Sequence, residues 1–91
     1  YSSDALQARR KTNGKIEYLI PEEGATMWID NLVIPAGAPH VAEAHEFINY
    51  LLEPKVAAAT AAHVLVAPAS KQAVALMPKD AQSNIALFPS D

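Results

Sequence analysis

Apolar residues recur at Val41, Ala44, Phe47, Ile48, Leu51 and Leu52, the i, i+3, i+4, i+7 spacing that places side chains on one face of a helix. Glu43 and Glu46 fall off that stripe, so the pattern predicts an amphipathic helix from His40 to about Leu52. Pro54 breaks it and suits the first turn of a following helix, Pro54 to about His63. That second helix is rich in alanine (Ala57, Ala58, Ala59, Ala61, Ala62), which favours close packing against a neighbour. Toward the N-terminus, Ser2 or Ser3 can cap a helix running to about Arg10. Asp4 lies in its first turn, and Arg9, Arg10 and Lys11 lie in its last. Pro68 to Leu76 reads as a short helix, and the remaining tail as loop with one helical turn at most.

Between these helices the period changes. Lys15-Ile-Glu-Tyr-Leu-Ile20 alternates and is rich in β-forming residues, so it reads as a strand. Pro21-Glu-Glu-Gly24 is a turn, and Ala25 to Ile34 is a second extended segment ended by Pro35. Pro35-Ala-Gly-Ala-Pro39 is a loop by its proline and glycine content. Val64-Leu-Val66 is a short apolar stretch read as extended. The order helix, strand, strand, helix, helix, tail points to an α/β fold. Two strands are marginal in water, so the sheet requires further strands from elsewhere or from a second copy.

Composition narrows the function classes. With 91 residues, 51% of them hydrophobic, the chain is one small folded unit and not a disordered one. The formal charge is −3 and the seven Lys and Arg form no patch, which leaves no footprint for nucleic acid. No apolar run approaches the length of a membrane span. Cysteine is absent, which removes disulfides, thiolate metal sites and thiol catalysis. The chain opens on Tyr-Ser-Ser-Asp without a leading Met, and closes on Phe88-Pro-Ser-Asp91. Both ends read as a portion of a longer protein.

The most informative chemistry is Trp28-Ile29-Asp30. On a strand, residues i and i+2 face the same side. Trp28 and Asp30 would then present a π-face and a carboxylate to one space, a combination that attracts an organic ammonium ion. The commoner origin of such spacing is a core Trp beside a capping or surface Asp. Other candidates carry less. His40, His45 and His63 lack the i, i+4 spacing of a helical metal pair. Ser2, Ser3 and Ser70 lack a nucleophile-elbow context. Glu22 and Glu23 are adjacent turn residues, and Gly14, Gly24 and Gly37 are scattered and form no phosphate loop. Tyr18 and Tyr50 read as packing residues. No catalytic constellation, metal site or cofactor is expected.

Two runs carry a family likeness: Ile20-Pro-x-Glu-Gly-x-x-x-Trp-x-Asp-x-Leu-x-Ile-Pro35, and Ala38-Pro-His-x-x-x-Ala-x-x-Phe-Ile-Asn-Tyr-Leu-Leu-x-Pro-x-Val-Ala57. Together they resemble the C-terminal part of periplasmic spermidine/putrescine-binding proteins, the polyamine-capturing components of ATP-driven importers. The likeness extends from Tyr1 to Phe88 and is most specific over residues 20 to 57. It implies a fragment of a two-lobed α/β fold, with a hinge-crossing strand and C-terminal helices. Residues 1–28 would lie in one lobe, 29–70 would return to the other, and 71–91 would be the tail. It further implies a periplasmic protein that binds a polyamine and delivers it to membrane importer subunits.

Carried onto this chain, the resemblance makes Trp28 an aromatic wall for the ligand and Asp30 a salt-bridge partner for an amine. Tyr1-Ser-Ser-Asp4 is similar to an upstream aromatic–acid element of the family. Tyr1 would then be a second wall and Asp4 a second carboxylate; Asp4 is also an ordinary helix N-terminal charge. Where the family often carries a Tyr after the Ala-rich helix, this chain has Val66. The second reading is a stand-alone α/β interaction module without ligand binding. In either case one copy leaves strand edges unpaired, so self-association is expected.

Overall fold

The computed structural model describes residues 1–89; the last two residues of the expected tail lie outside it. Among the described residues there are five helices: α1 (Ser2–Lys11), α2 (Val41–Leu52), α3 (Pro54–Val64), α4 (Lys71–Leu76) and α5 (Lys79–Gln82). Three of them begin or end on a local signal. Pro54 opens α3, where its missing N–H costs nothing. Ser70 caps α4, its Oγ accepting from the Ala73 amide at 3.4 Å. Asn13 and Gly14 follow α1 with positive φ, and the Gly14 amide closes back on the Arg9 carbonyl at 3.0 Å.

α3 is the centre of the packing, with α2 on one side and α4 on the other. Its small side chains let the backbones approach. Ala58 and Ala61 are buried, and they pack with Ala73 of α4, Leu6 of α1, and Leu65, Met77 and Leu87 from the connections. Ala73 is 0% exposed. Leu65 ends α3 in the left-handed region (φ 59, ψ 51), with its own amide and that of Val66 both directed to the Ala61 carbonyl. Val64 to Val66 is therefore a helix terminus and not the extended stretch expected. A cross-helix bond ties α1 to α3, where the Arg10 guanidinium donates to the Ala62 carbonyl at 3.5 Å. That carbonyl belongs to the last turn of α3, which has no helical partner for it.

The expected α/β fold with a hinge-crossing strand is overturned. Among the described residues there is no strand and no β-bridge. Residues 15–20 and 25–34 have the period of strands but no neighbour to pair with, and a strand gains its hydrogen bonds only from a second chain segment. Their backbone is held by turns instead. The Gly24 amide donates to the Pro21 carbonyl at 2.9 Å, and the Ala38 amide to the Pro35 carbonyl at 3.2 Å, with Gly37 supplying the positive φ that this second turn requires. Asn31 Nδ2 donates to the Ile29 carbonyl at 2.9 Å, taking an acceptor that a ladder would use. With no sheet edge present, the expectation that copies associate to complete a sheet loses its basis.

The missing sheet is visible in the dimensions. The radius of gyration is 15.6 Å and the extents are 46 × 27 × 27 Å. A compact domain of this length has a radius near about 12 Å. Leu19, Met27, Ile29, Leu32 and Val33 lie exposed along the connecting segment.

Candidate functional site

α1 presents Tyr1 and Asp4 at its N-terminal end, Tyr1 as the residue that caps it and Asp4 in its first turn. The segment 25–34 passes this end of the helix. There the rings of Tyr1 and Trp28 meet edge to face, with centroids 4.9 Å apart and planes inclined by 68°. This is the geometry that aromatic quadrupoles favour. The two residues are far apart in sequence, so the contact fixes the otherwise unpaired segment against α1.

Both rings keep much of their surface open, Trp28 at 57% exposure. Their free faces can therefore receive a ligand. Asp4 lies three residues further along α1 and is exposed, its Oδ2 3.8 Å from the Tyr1 backbone nitrogen. Asp30 is exposed and, among the described residues, enters no ion pair. Residues i and i+2 share a side only on a strand, and residues 25–34 form none, so Trp28 and Asp30 are not held to one side by the backbone. What the tertiary structure joins is Tyr1 with Trp28.

Two open grooves lie elsewhere. One of about 350 Å³ runs between the C-terminal ends of α1 and α3, lined by Gln7, Arg10, Lys11, His63 and Val64. The other, about 410 Å³, lies along α3 and α4 and is floored by Ala58, Ala59, Ala62 and Met77. Neither includes Tyr1, Asp4, Trp28 or Asp30. The first has the wrong charge for a cation. Arg10 and Lys11 instead complement the helix C-termini, with Arg10 already bonded to Ala62. Among the described residues no three His, Cys, Asp or Glu side chains gather around one point. His40 Nδ1 lies 3.9 Å from Glu43 Oε1 at the start of α2, an exposed local pair.

The structure reassigns Phe47 and Tyr50 in a way that spacing did not reveal. Phe47 belongs to the apolar stripe of α2 and reads as core, and Tyr50 reads as helix packing. Both are more than half exposed.

The chain belongs to the family of bacterial extracellular solute-binding proteins, whose family model matches residues 1–86. Among curated relatives, it is 37% identical over 88 residues to the putrescine-binding periplasmic protein PotF of Escherichia coli (strain K12), covering 97% of this chain and 23% of that protein. It is 35% identical over 79 residues to the putrescine/agmatine-binding protein of Pseudomonas aeruginosa, covering 86% of this chain and 22% of the relative. A norspermidine sensor of Vibrio cholerae is 25% identical over 89 residues, covering 97% of this chain and 25% of the sensor. The chain thus spans about a quarter of the length of the curated relatives it matches. No solved structure matches it. Among the described residues no helix is long and apolar enough to cross a membrane.

Proposed function

We propose that the chain forms part of a polyamine-binding protein of the periplasm, one that captures putrescine or spermidine for delivery to an ATP-driven importer. In this reading Trp28 and Tyr1 are the aromatic walls that take the methylenes and ammonium of the ligand. Asp30 and Asp4 are the carboxylates that pair with its amines. The observation that carries the reading is the edge-to-face contact between Tyr1 and Trp28, which makes a corner with two open π-faces at the end of the helix whose first turn carries Asp4. The names of the relatives, all polyamine binders or sensors, support the choice of ligand class.

The exposure of this corner sets the strength expected of the chain alone. An exposed cation–π contact contributes about 0.5–1 kcal/mol. An exposed ion pair contributes about 0.2–1 kcal/mol. Two of each give only about 1.5–4 kcal/mol, which corresponds to millimolar affinity or weaker. Tight capture requires the same groups in a site that excludes water, where a cation–π contact rises to about 2 kcal/mol.

The test is a titration of Trp28 fluorescence with putrescine, spermidine and a monoamine of equal carbon number, at matched ionic strength. Saturation in the millimolar range by the polyamines, with little response to the monoamine, is the expected result. Equal responses to all three amines would overturn the two-carboxylate reading, because a single charge would then suffice.

A further inference from the structure

Among the described residues, no backbone hydrogen bond involves the segment 25–34. The segment has a single side-chain hydrogen bond, donated by Asn31 Nδ2 to the Ile29 carbonyl at 2.9 Å. The residue spanned by that bond is Asp30. The ring it closes runs through the Ile29–Asp30 peptide, the Asp30 Cα and the Asp30–Asn31 peptide. Both soft backbone torsions of Asp30 therefore lie inside the ring, and they set the direction in which its Cβ leaves the chain.

Trp28 is anchored from the other side, where its ring meets that of Tyr1 at 4.9 Å. Ile29 alone lies between the two anchored residues. Its branched Cβ restricts it and favours extended backbone. A side chain on each flank thus takes over the orienting task that a sheet would otherwise perform.

We infer that Asn31 is a positioning residue for the proposed amine site, holding Asp30 in place relative to Trp28. The inference rests on the reading of Trp28 and Asp30 as ligand groups. A polyamine needs its carboxylate at a set separation from the aromatic wall. A backbone that is free to rotate must be ordered when the ligand binds, and that ordering is lost affinity. Asn31 orders Asp30 before the ligand arrives. The chemistry of the side chain fits the task. Its amide donates to a carbonyl, which an aspartate or a leucine of the same length cannot do. It is also neutral, so it neither competes with the ammonium for Asp30, as a lysine would, nor adds a second carboxylate that would bind the amine on its own account.

The test is a double-substitution cycle read by Trp28 fluorescence, with putrescine and butylamine as ligands at matched ionic strength. Asn31→Ala should raise the putrescine dissociation constant about fivefold, the loss of one ordinary intramolecular hydrogen bond. Helical circular dichroism should stay unchanged, because Asn31 is exposed and lies outside the helices. In an Asp30→Asn background the same substitution should change the constant by less than about twofold, since no carboxylate remains to be positioned. Equal losses in the two backgrounds would show that Asn31 acts independently of Asp30 and would overturn the inference, as would an Asn31→Ala chain that binds like the wild type. A wild-type chain that responds alike to putrescine and butylamine overturns the amine-site reading itself, before any variant is compared, and leaves Asn31 no site to position.

Discussion

The ring of Tyr1 meets the ring of Trp28 edge to face at 4.9 Å, and this contact joins the start of the first helix to the middle of a segment that has no hydrogen-bonded partner of its own. An edge-to-face pair contributes about 0.5–1.5 kcal/mol beyond its buried area. Both rings here are partly open, so the lower end applies. Tyr1→Ala should therefore leave the helices intact, lower stability by about 0.5 kcal/mol, and raise the quenching of Trp28 by acrylamide. Unchanged quenching would show that segment 25–34 is positioned by something other than Tyr1.

Asp30→Asn keeps the shape of the side chain and removes only its charge. In a longer protein with a closed site, the substitution should weaken putrescine at least about tenfold, about 1.4 kcal/mol. Isothermal titration reads the change directly. A dissociation constant unchanged by the substitution would remove Asp30 from the site and leave Asp4, on the first turn of α1, as its acid.

Leu65 stands in the left-handed region at the end of α3 and is buried there. An L-residue in that conformation costs about 1–2 kcal/mol, a penalty glycine escapes. Leu65→Ala loses the buried side chain and keeps the strain, while Leu65→Gly loses the same packing and relieves it. The glycine variant should therefore be the more stable of the two by about 1 kcal/mol, reversing the usual order of alanine and glycine. Thermal melts of the pair decide it. If the alanine variant melts higher, the left-handed terminus is absent in solution.

Ala73 has no exposed surface and faces the alanines of α3. Ala73→Leu forces α3 and α4 apart and should cost about 1–3 kcal/mol. Ala59→Leu on the same helix pair is a control, because Ala59 is exposed and should change the melting temperature little. Equal melting temperatures for the two variants would show that the small-residue contact is not the core.

The helices were legible in the sequence because their causes are local. The i, i+3, i+4 stripe from Val41 to Leu52 and Pro54 at a first turn each act within one or two turns of backbone. The segments 15–20 and 25–34 were not legible in the same way. Alternation says which side chains could share a face, but a strand exists only when a second segment supplies its hydrogen bonds. Here the turn-forming Gly24 and Gly37 and the Asn31 side chain hold the backbone instead.

The candidate site divides along the same line. Side-chain chemistry alone marked Trp28 and Asp30 as suited to an ammonium, and the family resemblance added Tyr1 and Asp4. Neither could say which of them meet. Only the tertiary structure decided that Trp28 stands against Tyr1, and that Phe47 and Tyr50 look outward from a helix whose pattern marks it for a core. Those relationships depend on how α1, α2 and α3 pack and on what covers them, which periodicity within any one element does not encode.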